Sequence, residues 1–278
     1  MMNLEFDTLV LSGGGVNGFN ILGSLFYLHK MGYLHNIKKY IGTSVGYILI
    51  ILLIFDYDPL EILTEFIKNK FMKRLKFFNF LQMVNGKGLI DFNIITDIVK
   101  QLLRKKNIDP TITLSELYNL KGFLIYGITF NFTKLQEEII CHDTFPNMTI
   151  LEAIRLTSNI PIVFDKFTYN DNIYFDGFIS NNFAINLVSP YDNVIGIKFF
   201  KIRSIKKDPS FFDILNDIFF WSLEKFQKDK KKYLLHNIII EINNYDNIFN
   251  FNISNTQILD MFSDGNREAE RTFDKKIL

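Results

Sequence analysis

The chain has 278 residues, of which 48% are hydrophobic and 22% are charged, and its formal net charge at pH 7 is +1. This composition is ordinary for a globular protein with a sizeable core, and the nearly neutral charge gives no electrostatic case for a nucleic-acid partner. The single cysteine, Cys141, excludes an internal disulfide and a cysteine-based zinc site, and it fits a reducing compartment.

The sequence predicts neither a signal peptide nor a membrane-spanning helix. Glu5 and Asp7 stand where a secretory signal would carry positive charge before an apolar run. The longest apolar run, residues 47–55, is far shorter than the roughly 20 residues that a spanning helix needs. We therefore expect a soluble, intracellular, cytoplasmic protein. Because the sequence shows no repeat, linker or low-complexity tract, the simplest prediction is one domain over residues 1–278.

From the N-terminus, the hydrophobic pattern predicts that strands and helices alternate. A short apolar run at residues 7–11 predicts a buried strand. An amphipathic stretch at residues 19–31, closed by Gly32, predicts a helix. Residues 37–41 predict a second strand and residues 45–55 a buried helix. This order is the opening of a parallel sheet in an α/β fold.

The remainder of the chain continues with both kinds of element. Further helices are predicted at residues 60–84, 89–105, 150–157, 210–227 and 256–273. Further strands are predicted at residues 123–132, 139–141, 173–175, 194–200 and 238–242. Pro59 begins the first of these helices, and Gly265 predicts an interruption of the last one, because glycine is a poor helix former.

A serine flanked by two glycines follows the second predicted strand, in Gly42-Thr43-Ser44-Val45-Gly46. G-x-S-x-G at a strand-to-helix junction is the pattern of a nucleophile elbow, in which glycines relieve the clashes of a very tight turn. The serine hydroxyl would lie at a helix N-terminus, where developing negative charge is favoured. Alone the pattern is weak, because any tight turn can collect glycine and serine.

A glycine-rich loop follows the first predicted strand and reads Gly13-Gly14-Gly15-Val16-Asn17-Gly18. Its spacing fits a dinucleotide-binding fingerprint, which also needs an acidic residue at the end of the second strand. That strand instead leads into the elbow and carries no acid there. The favoured interpretation is an oxyanion hole built from backbone N–H groups, adjacent to the elbow. A tight turn that packs a helix on a sheet is compatible with it.

A serine nucleophile needs a base, and no histidine lies in a segment that resembles a catalytic triad. The four histidines are interpreted as partly exposed polar residues: His29, His35, His142 and His236. The better candidate is Asp176, at a predicted strand end and followed directly by Gly177. On its own, an Asp-Gly pair is more simply explained as an ordinary turn.

Taken in order, the glycine loop, the elbow and the Asp176-Gly177 pair resemble the patatin-like phospholipases. The residues of the first two motifs are most similar to those of the short members of that family in large DNA viruses. The resemblance covers roughly residues 7–200, and it includes segments 88–91, 113–117, 153–161 and 181–184. Three ordered motifs at these spacings are a specific signal.

The resemblance implies a three-layer α/β/α fold with a mainly parallel central sheet, and a lipid acyl hydrolase that needs no metal or other cofactor. Ser44 would attack the ester carbonyl of an acyl lipid, Asp176 would accept its proton, and residues 13–18 would stabilise the oxyanion. A solvated aspartate has a pKa near 3.9 and is a weak base. Burial must therefore raise the basicity of Asp176. For a viral protein, the compartment would be the host cytoplasm.

Three residues depart from the family pattern. Asn17 stands where Arg or Lys is usual, Tyr47 follows the elbow where a small residue is common, and Phe178 replaces Gly or Ala after the Asp-Gly pair. They motivate an alternative hypothesis, a catalytically weak or silent protein that binds lipid or membranes. A nucleotide-binding protein is a more distant third hypothesis, since the ribose-binding acid is missing.

Basic and aromatic residues alternate in residues 66–84, where Lys70, Lys73 and Arg74 lie among phenylalanines. This pattern predicts a lid that lies on anionic lipid and gives peripheral membrane contact. An ordinary amphipathic helix with a solvated basic face explains it equally well. A second basic cluster at residues 225–232 is interpreted as a solvated helix end.

Overall fold

The computed structural model describes residues 5–75, 88–200, 208–209, 214, 237–243 and 250–277. The strands are β1 Thr8–Leu11, β2 Lys39–Thr43, β3 Leu124–Asn131, β4 Gln136–Ile140, β5 Phe167–Tyr169, β6 Asn172–Asp176, β7 Val194–Phe200 and β8 Asn237–Asn243. The helices are α1 Gly18–Lys30, α2 Val45–Ile54, α3 Pro59–Lys68, α4 Phe71–Leu75, α5 Asn93–Lys105, α6 Leu114–Lys121, α7 Ile150–Thr157, α8 Phe178–Asn181 and α9 Asn255–Ile277. Two short 3-10 turns span Gly15–Asn17 and Ile185–Leu187.

One mixed sheet joins these strands. β1 is parallel to β2 and to β7, β3 is parallel to β2, and β8 is parallel to β7. β4 and β6 pair with β3 in the antiparallel direction, and β5 pairs with β6 in the same way. The predicted α/β class with a mainly parallel central sheet is therefore confirmed.

The two faces of the sheet carry separate hydrophobic clusters, because neighbouring strand residues point to opposite faces. Leu9 and Leu11 of β1 belong to the large cluster that includes α1, α2 and α7. Val10 belongs to a smaller cluster, which the 3-10 turn Ile185–Leu187 also contacts. The Thr43 hydroxyl, on the same face as Val10, bonds to the backbone oxygen of Asn181 in α8. Helical segments thus cover both faces, as the predicted three layers require.

The pairing of β3 brings β2 and β6 to the same edge. Thr43 of β2 pairs with Ile128, and Asp176 of β6 pairs with the next residue, Thr129. β4 pairs with both of these β3 residues, so β2 and β6 must share the opposite edge. The elbow after β2 therefore lies next to the end of β6.

α9 packs closely across α1, and the predicted interruption at Gly265 is wrong. A side-chain carbon on Gly265 would overlap the backbone oxygen of Asn20, and one on Gly23 would overlap that of Phe262. The Ser24 hydroxyl donates to the Gly265 oxygen at 2.7 Å. Glycine at 265 therefore permits the close approach of two helices, and α9 continues through it.

Other predicted elements differ in their bounds. The helix predicted at residues 60–84 is divided into α3 and α4, with Lys70 between them at a φ of 52°, and residues 76–84 lie outside the described residues. α6 was not predicted, and a capping box of Thr113 and Glu116 begins it. Apart from residue 214, the helix predicted at 210–227 lies outside the described residues, as does the basic cluster at 225–232. Within the described ranges, every helix is too short or too polar to cross a bilayer.

Candidate active site

Ser44 occupies the tight turn between β2 and α2. Its φ of 54° and ψ of −126° lie outside the regions that a serine commonly adopts. Such a conformation costs on the order of 1–3 kcal/mol and persists only where the surroundings enforce it. The backbone N–H groups of Tyr47 and Ile48 donate to the backbone oxygen of Ser44 at 2.9 and 3.2 Å. Ser44 is therefore the N-cap of α2 and lies at the positive end of the helix dipole.

The flanking glycines of the elbow are required by close backbone contacts. A side-chain carbon on Gly46 would lie 2.6 Å from the Ser12 oxygen, and one on Gly42 would lie 2.7 Å from the Tyr47 nitrogen. Both distances are shorter than carbon atoms tolerate, so only glycine fits at either position.

Ser44 and Asp176 are in direct contact. The Ser44 Oγ donates to Asp176 Oδ2 at 2.6 Å, and the Phe178 backbone N–H donates to Asp176 Oδ1 at 2.9 Å. Ser44 is 5% exposed and Asp176 is fully buried. Burial raises the pKa of Asp176 to about 7, although the hydrogen bonds from Ser44 and Phe178 act in the opposite direction. A carboxylate with this pKa is a much stronger base than a solvated aspartate.

The residue after Asp176 is buried against β3. A side-chain carbon on Gly177 would overlap the Ile128 backbone oxygen. The Gly177 N–H donates to the Thr157 oxygen at 3.2 Å. Glycine here lets the end of β6 lie directly against the strand that also pairs with β2.

The glycine loop lies beside the nucleophile elbow. Gly13 and Asn182 form two hydrogen bonds, each of 3.2 Å. The Gly13 N–H donates to the backbone oxygen of Asn182, and Asn182 Nδ2 donates to the backbone oxygen of Gly13. A side-chain carbon on Gly13 would lie 3.1 Å from the Ser44 Cβ. The glycine loop and the elbow are therefore adjacent in the structure, as the sequence predicts.

The rest of the loop turns into α1 through a 3-10 turn. Gly15 has a φ of 54°, which favours glycine, and a carbon on Gly14 would press on the ring of Phe199. Val16 and Asn17 are buried, and the Asn17 N–H donates to the Gly14 oxygen.

The last glycine of the loop, Gly18, lies so close to Val45 that a side-chain carbon on it would overlap the valine. Within the described residues, the backbone N–H groups of Gly14, Gly15 and Val16 have no acceptor. Unpaired backbone donors in a loop that adjoins the elbow are the kind of groups from which an oxyanion hole is built.

An apolar groove, partly open to solvent, runs beside Ser44. Ser44 and Ser158 supply the polar side chains among its described lining residues, which include no charged residue. Its walls include Val16, Phe66, Phe71, Met72, Leu75, Ile160, Phe164 and Phe251. A dinucleotide would need polar and charged partners that this lining lacks. The groove instead matches an apolar ligand with one reactive polar group at Ser44.

The residues that depart from the family pattern are accommodated in different ways. The fully buried Tyr47 ring packs against Gly127 of β3, where a side-chain carbon would lie 2.9 Å from Tyr47 Cε2. Phe178 is buried and is absent from the groove lining, and its N–H contacts Asp176. Phe178 therefore does not narrow the groove within the described part of the chain.

The histidines within the described residues lie away from Ser44. His29 and His35 are exposed, while His142 stacks on Tyr118 with ring centroids 3.8 Å apart. His236 lies outside the described residues. Among the described side chains, Asp176 is the hydrogen-bond partner of the Ser44 hydroxyl.

Sequence reasoning missed the buried polar residues that surround the pair. Thr157 Oγ1 accepts a hydrogen bond from the Ser44 N–H at 3.0 Å, and the backbone oxygen of Asn159 accepts one from the Asp176 N–H at 2.9 Å. Both residues are fully buried. A signal was present, because Thr157, Ser158 and Asn159 form a polar run at the end of a predicted amphipathic helix.

Basic side chains lie beside one wall of the groove. Phe66 and Phe71 line the groove and stack on each other, with ring centroids 5.1 Å apart. Lys68 at the end of α3, Lys70 between the two helices and Lys73 in α4 are exposed. The predicted lid therefore has an apolar side toward the groove and a basic side toward solvent in its described part.

The chain is similar in sequence to two viral proteins. The chain is 34% identical over 193 residues to the "Probable lipid hydrolase 463L" of Invertebrate iridescent virus 6, over 68% of this chain and 65% of that protein. It is 26% identical over 200 residues to an uncharacterized protein of Acanthamoeba polyphaga mimivirus, over 70% of this chain and 66% of that protein. The match thus spans slightly less than two thirds of each viral relative.

Two solved structures share the fold. VipD from Legionella pneumophila superposes with a TM-score of 0.61 at 18% identity, over 97% of this chain and 67% of that chain. The type III effector protein ExoU of Pseudomonas aeruginosa superposes with a TM-score of 0.50 at 14% identity, over 98% of this chain and 53% of that chain.

The family model for "Patatin-like phospholipase" matches residues 9–188, which include the glycine loop, the elbow and Asp176. This match covers more than half of the chain, and the chain therefore belongs to the patatin-like phospholipase family.

Proposed function

We propose that this chain is a lipid acyl hydrolase in which Ser44 is the nucleophile and Asp176 is the general base. The observation that carries the proposal is the 2.6 Å hydrogen bond from Ser44 Oγ to Asp176 Oδ2 at the side of an apolar groove. A nucleophile within hydrogen-bond reach of a base that is itself fixed by a third group is the expected arrangement for covalent catalysis. Here the Phe178 N–H is that third group.

In the first half of the reaction, Ser44 Oγ attacks the ester carbonyl and its proton moves to Asp176 Oδ2. The carbonyl oxygen becomes an oxyanion, which the N–H groups of Gly14, Gly15 and Val16 are free to bind. The tetrahedral intermediate then breaks its bond to the leaving alcohol, which takes the proton from Asp176. The products of this half are the free alcohol, a lysolipid for a phospholipid substrate, and an acyl group on Ser44.

In the second half, a water molecule attacks the acyl carbonyl and gives a proton to Asp176. The second intermediate collapses, the proton returns to Ser44 Oγ, and the fatty acid leaves. A pKa of about 7 leaves a substantial fraction of Asp176 ionised at neutral pH while keeping it basic enough to accept these protons.

The groove supports an acyl chain as the part of the substrate that the protein encloses. Its described lining residues are mainly apolar side chains such as Phe66, Met72 and Phe251, and they include no cation for a phosphate head group. Transfer of a hydrocarbon chain into such a groove contributes roughly 0.8 kcal/mol per methylene group. We therefore infer that the head group remains at the mouth of the groove.

We also propose that the exposed basic surface where α3 meets α4, defined by Lys68, Lys70 and Lys73, faces anionic lipid. These lysines lie beside the residues that line the groove, so the same contact would bring a membrane lipid to the groove. Each lysine near an anionic surface contributes about 1 kcal/mol to binding.

The hydrolase proposal is tested by release of free fatty acid from a panel of phospholipids and triglycerides. Wild type is expected to release fatty acid, and Ser44→Ala is expected to release none above background, with an unchanged circular dichroism spectrum. A fluorophosphonate probe should label wild type at Ser44 and leave Ser44→Ala unlabelled. Wild-type activity in Ser44→Ala would refute the proposal, and lipid binding without labelling or hydrolysis would favour the catalytically silent alternative.

The membrane proposal is tested by flotation with vesicles of phosphatidylserine and phosphatidylcholine. Lys70→Glu with Lys73→Glu should lower the bound fraction on anionic vesicles and leave hydrolysis of a soluble ester unchanged. Lys30→Glu with Lys38→Glu is the matched control, because both lysines are exposed and neither lies on α3 or α4. Equal losses in the two double variants would mean that net charge, rather than this surface, determines binding.

A further inference from the structure

We propose that Thr157 is a positioning residue whose hydroxyl holds Ser44 in its strained conformation, opposite Asp176. Thr157 is the last residue of α7, and with Ser158 and Asn159 it forms a buried segment, residues 157–159, between the ends of β2 and β6. Thr157 can have this role only if Ser44 and Asp176 are the reacting pair, so it rests on the proposed function.

The Thr157 hydroxyl connects the elbow to β3. It accepts a hydrogen bond from the Ser44 N–H at 3.0 Å and donates one to the Ile128 oxygen at 2.6 Å. Ile128 is the β3 partner of Thr43, the last residue of β2. The hydroxyl thus continues the connection between β2 and β3 by one residue after the strand has ended. A hydroxyl is suited to this place, since it offers one donor and two acceptor sites.

The connection matters because the backbone of Ser44 is strained. With a φ of 54° and a ψ of −126°, Ser44 would relax toward an ordinary conformation if its surroundings allowed it. Its carbonyl is fixed by the first turn of α2, through Tyr47 and Ile48. Its N–H is fixed by Thr157. Loss of the Thr157 hydroxyl would free one side of the turn and change where Ser44 Oγ points.

The same segment fixes the base, but through the main chain. The Thr157 oxygen accepts from the Gly177 N–H at 3.2 Å, and the Asn159 oxygen accepts from the Asp176 N–H at 2.9 Å. These bonds do not need the Thr157 side chain. A change of the side chain alone therefore disturbs the nucleophile while it leaves the base in its place, and this difference makes the role measurable.

The test compares Thr157→Val, which keeps the shape and removes the hydroxyl, with Thr157→Ser, which keeps the hydroxyl. For hydrolysis of p-nitrophenyl butyrate, we expect a kcat about 10- to 100-fold lower in Thr157→Val, since small displacements of a reacting group have effects of this size. We expect KM to stay within about twofold, because Thr157 does not line the groove. Thr157→Ser should keep kcat within about threefold of wild type.

Two further readouts separate positioning from stability. The rate of Ser44 labelling by a fluorophosphonate should fall with kcat in Thr157→Val, while the pH at which activity is half-maximal should not move. Ser24→Ala is the matched control, because it also removes a buried hydroxyl that bonds to a backbone oxygen, that of Gly265. It should lower the melting temperature and leave kcat unchanged.

Full kcat in Thr157→Val would overturn the role, and so would an equal loss in Thr157→Ser or in Ser24→Ala. If Thr157→Val does not fold, Thr157→Cys decides, because a thiol is a weaker donor and acceptor. An intermediate kcat supports the role and a wild-type kcat overturns it. Wild-type activity in Ser44→Ala would instead overturn the proposed function itself.

Discussion

Ser44 and Asp176 are held by individual hydrogen bonds, whereas the adjacent groove is bounded mainly by apolar side chains. The Ser44 hydroxyl, both Asp176 oxygens and the Thr157 hydroxyl each have a specific partner. In the groove wall, Met72 and Phe251 present only apolar side chains to the space for the substrate. Hydrogen bonds are directional and apolar contacts are not. Changes in the first region should therefore alter the rate on every substrate, and changes in the second should alter only the preferred acyl chain.

The largest expected effect follows from removal of the base. Asp176→Asn keeps the size of the side chain but cannot accept the proton of Ser44. We expect kcat/KM to fall by about 10²- to 10⁴-fold on short and long acyl esters alike, the usual contribution of a positioned base. Fatty acid release and p-nitrophenyl ester hydrolysis measure it. A loss confined to long acyl chains would contradict the division between the two regions.

The same substitution should stabilise the protein at neutral and alkaline pH. Burial raises the pKa of Asp176 from its ordinary value of 3.8 to about 7. Between these values the folded protein keeps a proton that the unfolded chain has lost, so rising pH lowers the stability of wild type. Above about pH 7, Asp176 is ionised in both the folded and the unfolded protein. Burial of its carboxylate then lowers the free energy of unfolding by a few kcal/mol, at about 1.4 kcal/mol per pKa unit.

Urea unfolding of wild type and Asp176→Asn at about pH 4.5 and about pH 8 measures this difference. The advantage of Asp176→Asn should be larger at the higher pH. If Asp176→Asn stabilises the protein equally at both pH values, burial of the ionised Asp176 carboxylate does not lower the stability of wild type.

The acid limb of the pH profile should report the same carboxyl group. Because only ionised Asp176 accepts the proton of Ser44, kcat/KM should fall about tenfold per pH unit below about pH 7. A soluble ester assayed between about pH 5 and about pH 9 shows this limb. His142→Gln should leave it unchanged, since His142 stacks on Tyr118 away from the pair. Loss of the limb in His142→Gln would point to a histidine base.

The local parts of the site could be predicted from sequence, and the parts that depend on distant contacts could not. Gly42, Ser44 and Gly46 are close in sequence, and the clash that requires Gly42 arises within the turn itself, against Tyr47. Asp176 was found by its motif and by resemblance. Its distance from Ser44 depends on β6 pairing with β3 where β2 ends, which no local pattern encodes.

The errors have the same origin. Gly265 predicts a break in a helix when only propensity is considered, but its backbone lies against Asn20 of α1, which is far away in sequence. Tyr47 was a departure from the family pattern, and its space is provided by Gly127 on another strand. Thr157 was noticed only as part of a matching segment. Its role follows from contacts with Ser44 and Ile128, which come from two different strand ends.

The smallest expected effect is a change of acyl-chain preference on the groove wall. Met72 is buried in α4 and lines the groove, and methionine positions usually accept other apolar residues. Met72→Phe should reduce the space for a long chain, so that kcat/KM for p-nitrophenyl dodecanoate falls by about 3- to 10-fold. Hydrolysis of the butyrate ester should be unchanged, because its short chain lies close to Ser44. Lys73→Ala, on the exposed side of the same helix, is the control and should alter neither ester. An equal loss on both esters would mean that the wall also supports Ser44 and Asp176, and that the two regions are not separable.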